Sequence, residues 1–252
     1  DGPGTGERTP GTSRLWDRLT YLASKKAHLD DGYEIMEDSV VLSNSVIWDL
    51  QRRFYAALGQ NAWEGGNDCR DAVPFLITCN ETIARAYASS VLQLAHDFAQ
   101  SGVLDSAQPL YVVELGAGHG KFSLLFATAL REMASAVAAE REASSPPPRI
   151  CLVATDFAEV NVNAMQGNPA LAALARDGLV DFAVLDAEAH ESATLRESGV
   201  VLSEASPSEN PVIVIANYVM DSLRADVFQV GRDGALLEGR VTTFGVDASP
   251  IA

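Results

Sequence analysis

Positive charge is scarce in this chain: its 252 residues carry 18 Lys and Arg against 34 Asp and Glu, a formal net charge of −16 at pH 7. Neither a nucleic acid nor an anionic membrane is expected as a partner, because neutralising phosphate needs a clustered basic surface. A cationic acceptor would suit that charge better. Cysteine is equally sparse, with Cys69, Cys79 and Cys151 far apart, no CxxC and no histidine at ligand spacing. No metal site follows, buried packing is the expected role, and a reducing, intracellular compartment is the simplest reading. Long apolar runs are missing too. Nothing approaches the roughly eighteen residues of a membrane span, and residues 1–14 are polar and rich in Gly, Pro and Thr, without an apolar signal core. A soluble protein with a flexible segment at 1–14 is expected. Its 47% hydrophobic and 21% charged residues are ordinary globular values, so disorder is not its main state. The chain lacks an initiator methionine and stops at Ser249-Pro250-Ile251-Ala252 just after a strand-like stretch, which reads as a piece of a longer polypeptide.

Along the chain, Ser13 to His28 reads as a short helix followed by a polar patch through Asp38. Val46, Ile47, Leu50, Phe54, Ala57 and Leu58 recur at helical spacing and end at Gly59. Residues 59–72 read as a loop. A second helix follows Pro74: Thr78 and Glu81 have capping-box spacing, and Ile83, Ala84, Tyr87, Val91, Leu94, Ala95 and Phe98 form one apolar face. From Leu110 the pattern becomes short buried runs alternating with helices. Strands are expected at 110–115, 150–155, 180–185 and 212–216, and helices over 121–133 and through 171–176. Residues 134–148 read as an extended helix end and a Pro-Pro-Pro loop. Asp156, Asp186 and Asn217 stand at strand ends 30 and 31 residues apart, the length of a strand, a crossover and a return. The expected fold is α/β, a doubly wound, mostly parallel Rossmann-like sheet with helices on both faces. Residues 15–105 would form a helical cap and 106–252 the α/β domain. After Asn217, Val227–Val230 and Leu236–Phe244 flank a Gly-Arg-Asp-Gly turn and read as a hairpin or strand pair. Too few residues remain after Phe244 for the usual closing hairpin of such a sheet.

The most informative stretch is Val112-Val113-Glu114-Leu115-Gly116-Ala117-Gly118-His119-Gly120-Lys121-Phe122. A buried strand delivers Glu114 into a tight glycine turn, and the next helix points its amide-rich end back over it. Glycine serves such a turn through positive φ and through the absence of a Cβ where a ligand meets the backbone. A dinucleotide fingerprint wants glycine at position 121, which is Lys, and an acid at a strand end about 20 residues on, where Glu140 sits in a polar Ala/Glu stretch. A P-loop fails because no GKS or GKT follows.

What remains resembles motif I of the class I S-adenosylmethionine-dependent methyltransferases. The resemblance spans roughly residues 110–230 and implies S-adenosyl-L-methionine as cofactor. It implies that Glu114, Gly116, Ala117, Gly118 and Gly120 hold the methionine end, and that Asp156 accepts hydrogen bonds from both ribose hydroxyls. Asp186 would stand beside the adenine amine, Phe157 and Ala187 would line the adenine face, and Asn217-Tyr218 would border the transferring methyl group. Ile215-Ala216-Asn217-Tyr218-Val219-Met220-Asp221-Ser222-Leu223 is distantly similar to the Ala-Asn-Glu-Phe-Phe-Asp-Ala-Leu stretch of the family that includes the mitochondrial complex I assembly arginine methyltransferases. Tyr218 stands where that family has Glu, and Ala117 and His119 where it prefers Pro and Arg. Asn217, Tyr218 and Asp221 are the candidate catalytic residues, orienting an acceptor or removing its proton. Arg85, at the edge of its helix's apolar stripe, is a candidate partner for the cofactor carboxylate. His119 reads as a solvent-facing spacer, His28, His96 and His190 as surface residues, and Tyr87 as core. Methyl transfer to an unidentified acceptor, with a protein side chain as one candidate, is the implied activity. A methyltransferase-fold interaction or assembly module without catalysis is the alternative.

Overall fold

The computed structural model describes residues 34–64, 75–140, 148–205 and 208–245. The expected segment at 1–14, the helix at 13–28, most of the 59–72 loop, residues 141–147 of the Pro-rich stretch, His28 and Cys69 lie outside them. The described residues fall into two compact units, one of Trp48–Ala225 and one of the residues up to Ile47 together with those from Asp226 on.

The larger unit is built on a parallel sheet of four strands: β2 (Leu110–Glu114), β3 (Ile150–Asp156), β4 (Val180–Val184) and β7 (Ile213–Ile215), in the order β4-β3-β2-β7. Its helices are α1 (Val46–Leu58, beginning two residues before this unit), α2 (Asn61–Glu64), α3 (Glu81–Gln100), α4 (Lys121–Glu140), α5 (Glu159–Gly167) and α6 (Pro169–Arg176). The strands β2 and β3 are buried along their whole length, as near-continuous apolar runs demand of parallel strands. Alternate residues divide the core in two. Leu110, Val112, Leu152, Ala154 and Phe182 pack against Ala84, Ala88, Phe126, Val162, Met165 and Leu171, all from helices. On the opposite face, Tyr111, Val113, Cys151, Val153 and Ala183 pack against Ala193, Leu195 and Leu202.

That second face corrects one expectation. Among the described residues, helices cover one face and the other is covered by an antiparallel ribbon of β5 (Ser192–Thr194) and β6 (Val201–Ser203). Crossovers are right-handed, so the steps β2→β3→β4 leave their helices on one face, and the reversed step from β4 to β7 runs behind the other. Here that step is made by strands. Asp181, buried on β4, holds the turn inside the ribbon: its carboxylate accepts from the backbone N–H groups of Phe182, Glu197 and Ser198 and from the Ser198 hydroxyl, at 2.7–3.0 Å.

Helix α3 starts from Asn80 rather than Thr78. The Asn80 side chain accepts from the Ile83 N–H at 3.0 Å, and Ala84, Ala88, Val91 and Ala95 are its buried stripe. These residues share a core with β2, and helix and sheet lie in the same compact unit.

In the smaller unit, the expected polar patch is strand β1 (Glu34–Val41), paired antiparallel with β10 (Arg240–Gly245). The run 236–244 is broken at Gly239, where a Cβ would lie 3.0 Å from the Val227 carbonyl oxygen. Its first part, β9 (Leu236–Glu238), forms the expected hairpin with β8 (Phe228–Val230). Glu37 accepts from the Ser45 hydroxyl, the Val46 N–H and the Thr243 hydroxyl. Those bonds outweigh burial and hold its carboxyl below the usual range. Among the described residues, no helix is long and apolar enough to cross a membrane.

Candidate functional site

Because the strand order reverses between β2 and β7, the connections leaving their carboxyl ends part in opposite directions and open a crevice. A cavity of about 310 Å³ lies there, within the size range of small-molecule sites. Its walls include Glu114, Gly116 and Ala117 from the end of β2, Asp156 and Phe157 from β3, Asp186 and Ala187 after β4, and Asn217, Tyr218 and Asp221 after β7. Residues chosen over a hundred positions of sequence thus converge on one space.

The turn after β2 is held by backbone geometry. Gly116, Gly118 and Gly120 have φ of 63°, 57° and 75°. At Gly120 a Cβ would meet Met165 at 2.7 Å, so this glycine serves helix–sheet packing. At Gly118 it would meet the Trp63 indole at 2.9 Å, so this glycine permits a ring to lie flat on the loop.

The two buried acids have different hydrogen-bond surroundings. Glu114 is 4% exposed and accepts a hydrogen bond from the Ser123 hydroxyl. Burial pushes its carboxyl up to about 7, the Ser123 bond offsets part of that, and the charge of Asp156 adds to it. Asp156 ties the loops together. Its Oδ2 accepts from the Gly118 N–H at 2.9 Å, and its Oδ1 from the Ala158 N–H at 2.8 Å and the Asn161 amide at 3.2 Å. Burial still leaves its pKa raised against those three bonds. A carboxylate has about four lone-pair positions, so one remains. In this arrangement one acceptor position of Asp156 is open.

Asp186 has a partner that the sequence did not reveal. Arg52 of α1 donates to both of its oxygens, with Nη1 to Oδ1 at 3.4 Å, and its guanidinium lies 4.7 Å from the centre of the Phe157 ring. Burial alone would raise the Asp186 carboxyl; the Arg52 bonds, the Glu188 N–H and the charge of Arg52 bring it below the usual range. His190 Nδ1 accepts from the Asp186 N–H at 3.1 Å, with the tautomer assigned from this bond. No periodicity marks Arg52: it is one of two adjacent arginines on the polar side of an amphipathic helix.

On the other side, Asn217 Oδ1 accepts from the Tyr87 hydroxyl at 3.0 Å, which makes Tyr87 a tether as well as a packing residue. The Asn217 amide nitrogen is buried with no hydrogen-bond partner among the described residues. Tyr218 adopts φ of 54°, a left-handed conformation uncommon for a bulky residue and of the kind that gathers at functional sites. Asp221 is close enough to Tyr55 to add to the effect of burial in raising that phenol. His119 is not a solvent-facing spacer: its ring stacks on Trp63 at 5.9 Å and meets Phe75 edge-on at 4.7 Å. Cys79 and Cys151 are buried, with thiols pushed up by burial to about 11 and about 12, so neither is a ready nucleophile.

Three candidates do not line the cavity: Gly118 and Gly120, which pack against Trp63 and Met165, and Arg85. Arg85 pairs with Glu132 at 2.9 Å and Glu81 at 3.9 Å on an exposed surface. Its position on α3 faces the neighbouring helix α4 rather than the glycine turn.

No protein-family model matches the chain. No curated protein matches it. Among solved structures, two from Burkholderia thailandensis, both of one superfamily, resemble it. One is an uncharacterized protein, 14% identical, aligned over 94% of this chain and 51% of its own, with a TM-score of 0.32. The other is described as a "likely methyl transferase" bound to S-adenosyl-homocysteine, 18% identical, over 94% of this chain and 53% of its own, with a TM-score of 0.35. The chain spans about half the length of these two proteins.

Proposed function

We propose that the crevice binds S-adenosyl-L-methionine and that the protein transfers its methyl group to an acceptor. One observation carries the reading: a turn of three positive-φ glycines sits at the switch point of a parallel sheet, with carboxylates at the ends of three successive strand segments and an unpartnered Asn217 amide in the same cavity. That donor set suits a cationic nucleoside. Glu114 offers a carboxylate to an ammonium group, Asp156 one acceptor position to a hydroxyl, Asp186 an acceptor to an exocyclic amine, and Asn217 a donor to a ligand oxygen. When bound, S-adenosylmethionine supplies an electrophilic methyl group on a cationic sulfur.

The chain's part is placement, since in-line displacement gains most from fixed geometry. Tyr87 fixes the Asn217 amide, and the strained backbone at Tyr218 fixes the direction of the side chain beyond it. Asp221, at the rim beside Tyr55, is the group able to take a proton from an acceptor or to hold a positive one. Isothermal calorimetry with S-adenosylmethionine and S-adenosylhomocysteine tests the reading. Binding of both is expected, with release of S-adenosylhomocysteine when lysate fractions are supplied. Binding without turnover in any fraction would favour an interaction module; no binding refutes the donor site.

A further inference from the structure

We infer that Arg52 is a resident competitor for the adenine end of this crevice, and that nucleoside entry requires its guanidinium to leave Asp186. The inference rests on the donor-site reading above. Arg52 already makes both contacts that an adenine would seek there: a flat group over the Phe157 ring and N–H donors to the Asp186 carboxylate. The two occupants exclude each other. At 4.7 Å the guanidinium and the ring are in direct contact, and a ring inserted between them would need a stacking distance on each side. Asp186 Oδ1 also accepts from the Glu188 N–H at 3.0 Å, which leaves little acceptor capacity beside Arg52.

The displaced group has somewhere to go. Glu188 Oε2 lies 3.7 Å from Arg52 Nη1, so the side chain can exchange one carboxylate for another without leaving a charge unpaired. The helix need not move with it. Asp49, three residues earlier on α1, pairs with Arg224 at 2.7 Å, and Arg224 also approaches Glu188 at 3.7 Å. A side-chain rotation, rather than a domain motion, is enough to clear the adenine end. At the other end the same stretch of chain lays Trp63 against Gly118, so residues 52 and 63 together cover two parts of the crevice.

The test measures binding of S-adenosylhomocysteine, 5′-methylthioadenosine and free methionine to the 252-residue chain and to Arg52→Met and Arg52→Lys. Methionine is unbranched like the arginine stem but carries neither the guanidinium nor any donor. Losing the forked, stacked ion pair should tighten both nucleosides about 5- to 30-fold in Arg52→Met, with methionine binding unchanged. Lysine, charged but unable to fork, should fall between. Nucleoside affinity that is unchanged or weaker in Arg52→Met, while the parent chain binds, overturns the inference and leaves the donor site standing. No nucleoside binding to any of the three proteins overturns both. Tightening of methionine by the same factor also refutes it, because the effect would then not belong to the adenine end.

Discussion

Replacing Glu114 with glutamine should make the protein more stable and a worse binder of cations, and pH decides how much. The carboxyl sits at about 7 in the folded chain against 4.5 for the ordinary group. At about 1.4 kcal/mol per pKa unit, that difference corresponds to roughly 3 kcal/mol of folding free energy. The folded-state value is the higher one. Below pH 4.5 the group is protonated in both states and costs nothing. Between pH 4.5 and 7 the unfolded chain has released the proton that the folded chain still holds, so stability falls as pH rises, and it levels off above 7. Glutamine keeps the size of the side chain and an acceptor for the Ser123 hydroxyl, and it does not titrate. Urea unfolding of both proteins from pH 4.5 to 8.5 should therefore give near-equal stabilities at the acid end, with Glu114→Gln ahead by up to about 3 kcal/mol at pH 8. For S-adenosylmethionine the order reverses. The parent chain should lose affinity as pH drops below 7, by up to about tenfold per unit where one proton must leave, and Glu114→Gln should bind weakly with no such dependence. A stability difference that does not change with pH, or a Glu114 carboxyl titrating below 5 by NMR, refutes the reasoning.

Asp181→Ala should cost about 2–4 kcal/mol in urea unfolding, because it leaves the buried Phe182 N–H, the part-buried Glu197 and Ser198 N–H groups and the Ser198 hydroxyl without their acceptor; a loss under 1 kcal/mol would remove its role in holding the β5–β6 ribbon. Arg85→Ala should leave nucleoside affinity unchanged in calorimetry and shift stability by no more than about 1 kcal/mol, as exposed pairs do; a large loss of binding would return Arg85 to the site. Gly118→Ala should destabilise by about 1–2 kcal/mol through its positive φ and the Trp63 contact. The same substitution made in Trp63→Ala should cost less, and equal costs in the two backgrounds would show that the indole does not press on the loop.

Much of the architecture was readable before any fold was drawn. The four largely apolar runs at 110, 150, 180 and 213, each closed by an acid or amide and the last three spaced at crossover length, specify a parallel sheet, whose inner strands are buried on both faces and read as near-continuous apolar runs. The glycine turn after Glu114 was equally plain, since three alternate glycines have few uses other than positive φ. Less visible was β1, whose charged, exposed side chains resemble a loop until a distant partner, β10, supplies its hydrogen bonds. The β5–β6 ribbon was hidden because strands of three residues leave no periodicity to detect.

Chain order determined which groups stand at the carboxyl ends of the strands, since local spacing sets where each strand stops. It did not determine what those groups do there. Asp156 has most of its acceptor positions filled by Gly118, Ala158 and Asn161, Asp186 is held by Arg52, and Asn217 by Tyr87. Each partner other than Ala158 and Asn161 is supplied by a segment distant in the chain. Hydrogen-bond capacity is finite and is divided only when such segments meet, so the free donors and acceptors of the crevice are a property of the tertiary structure alone.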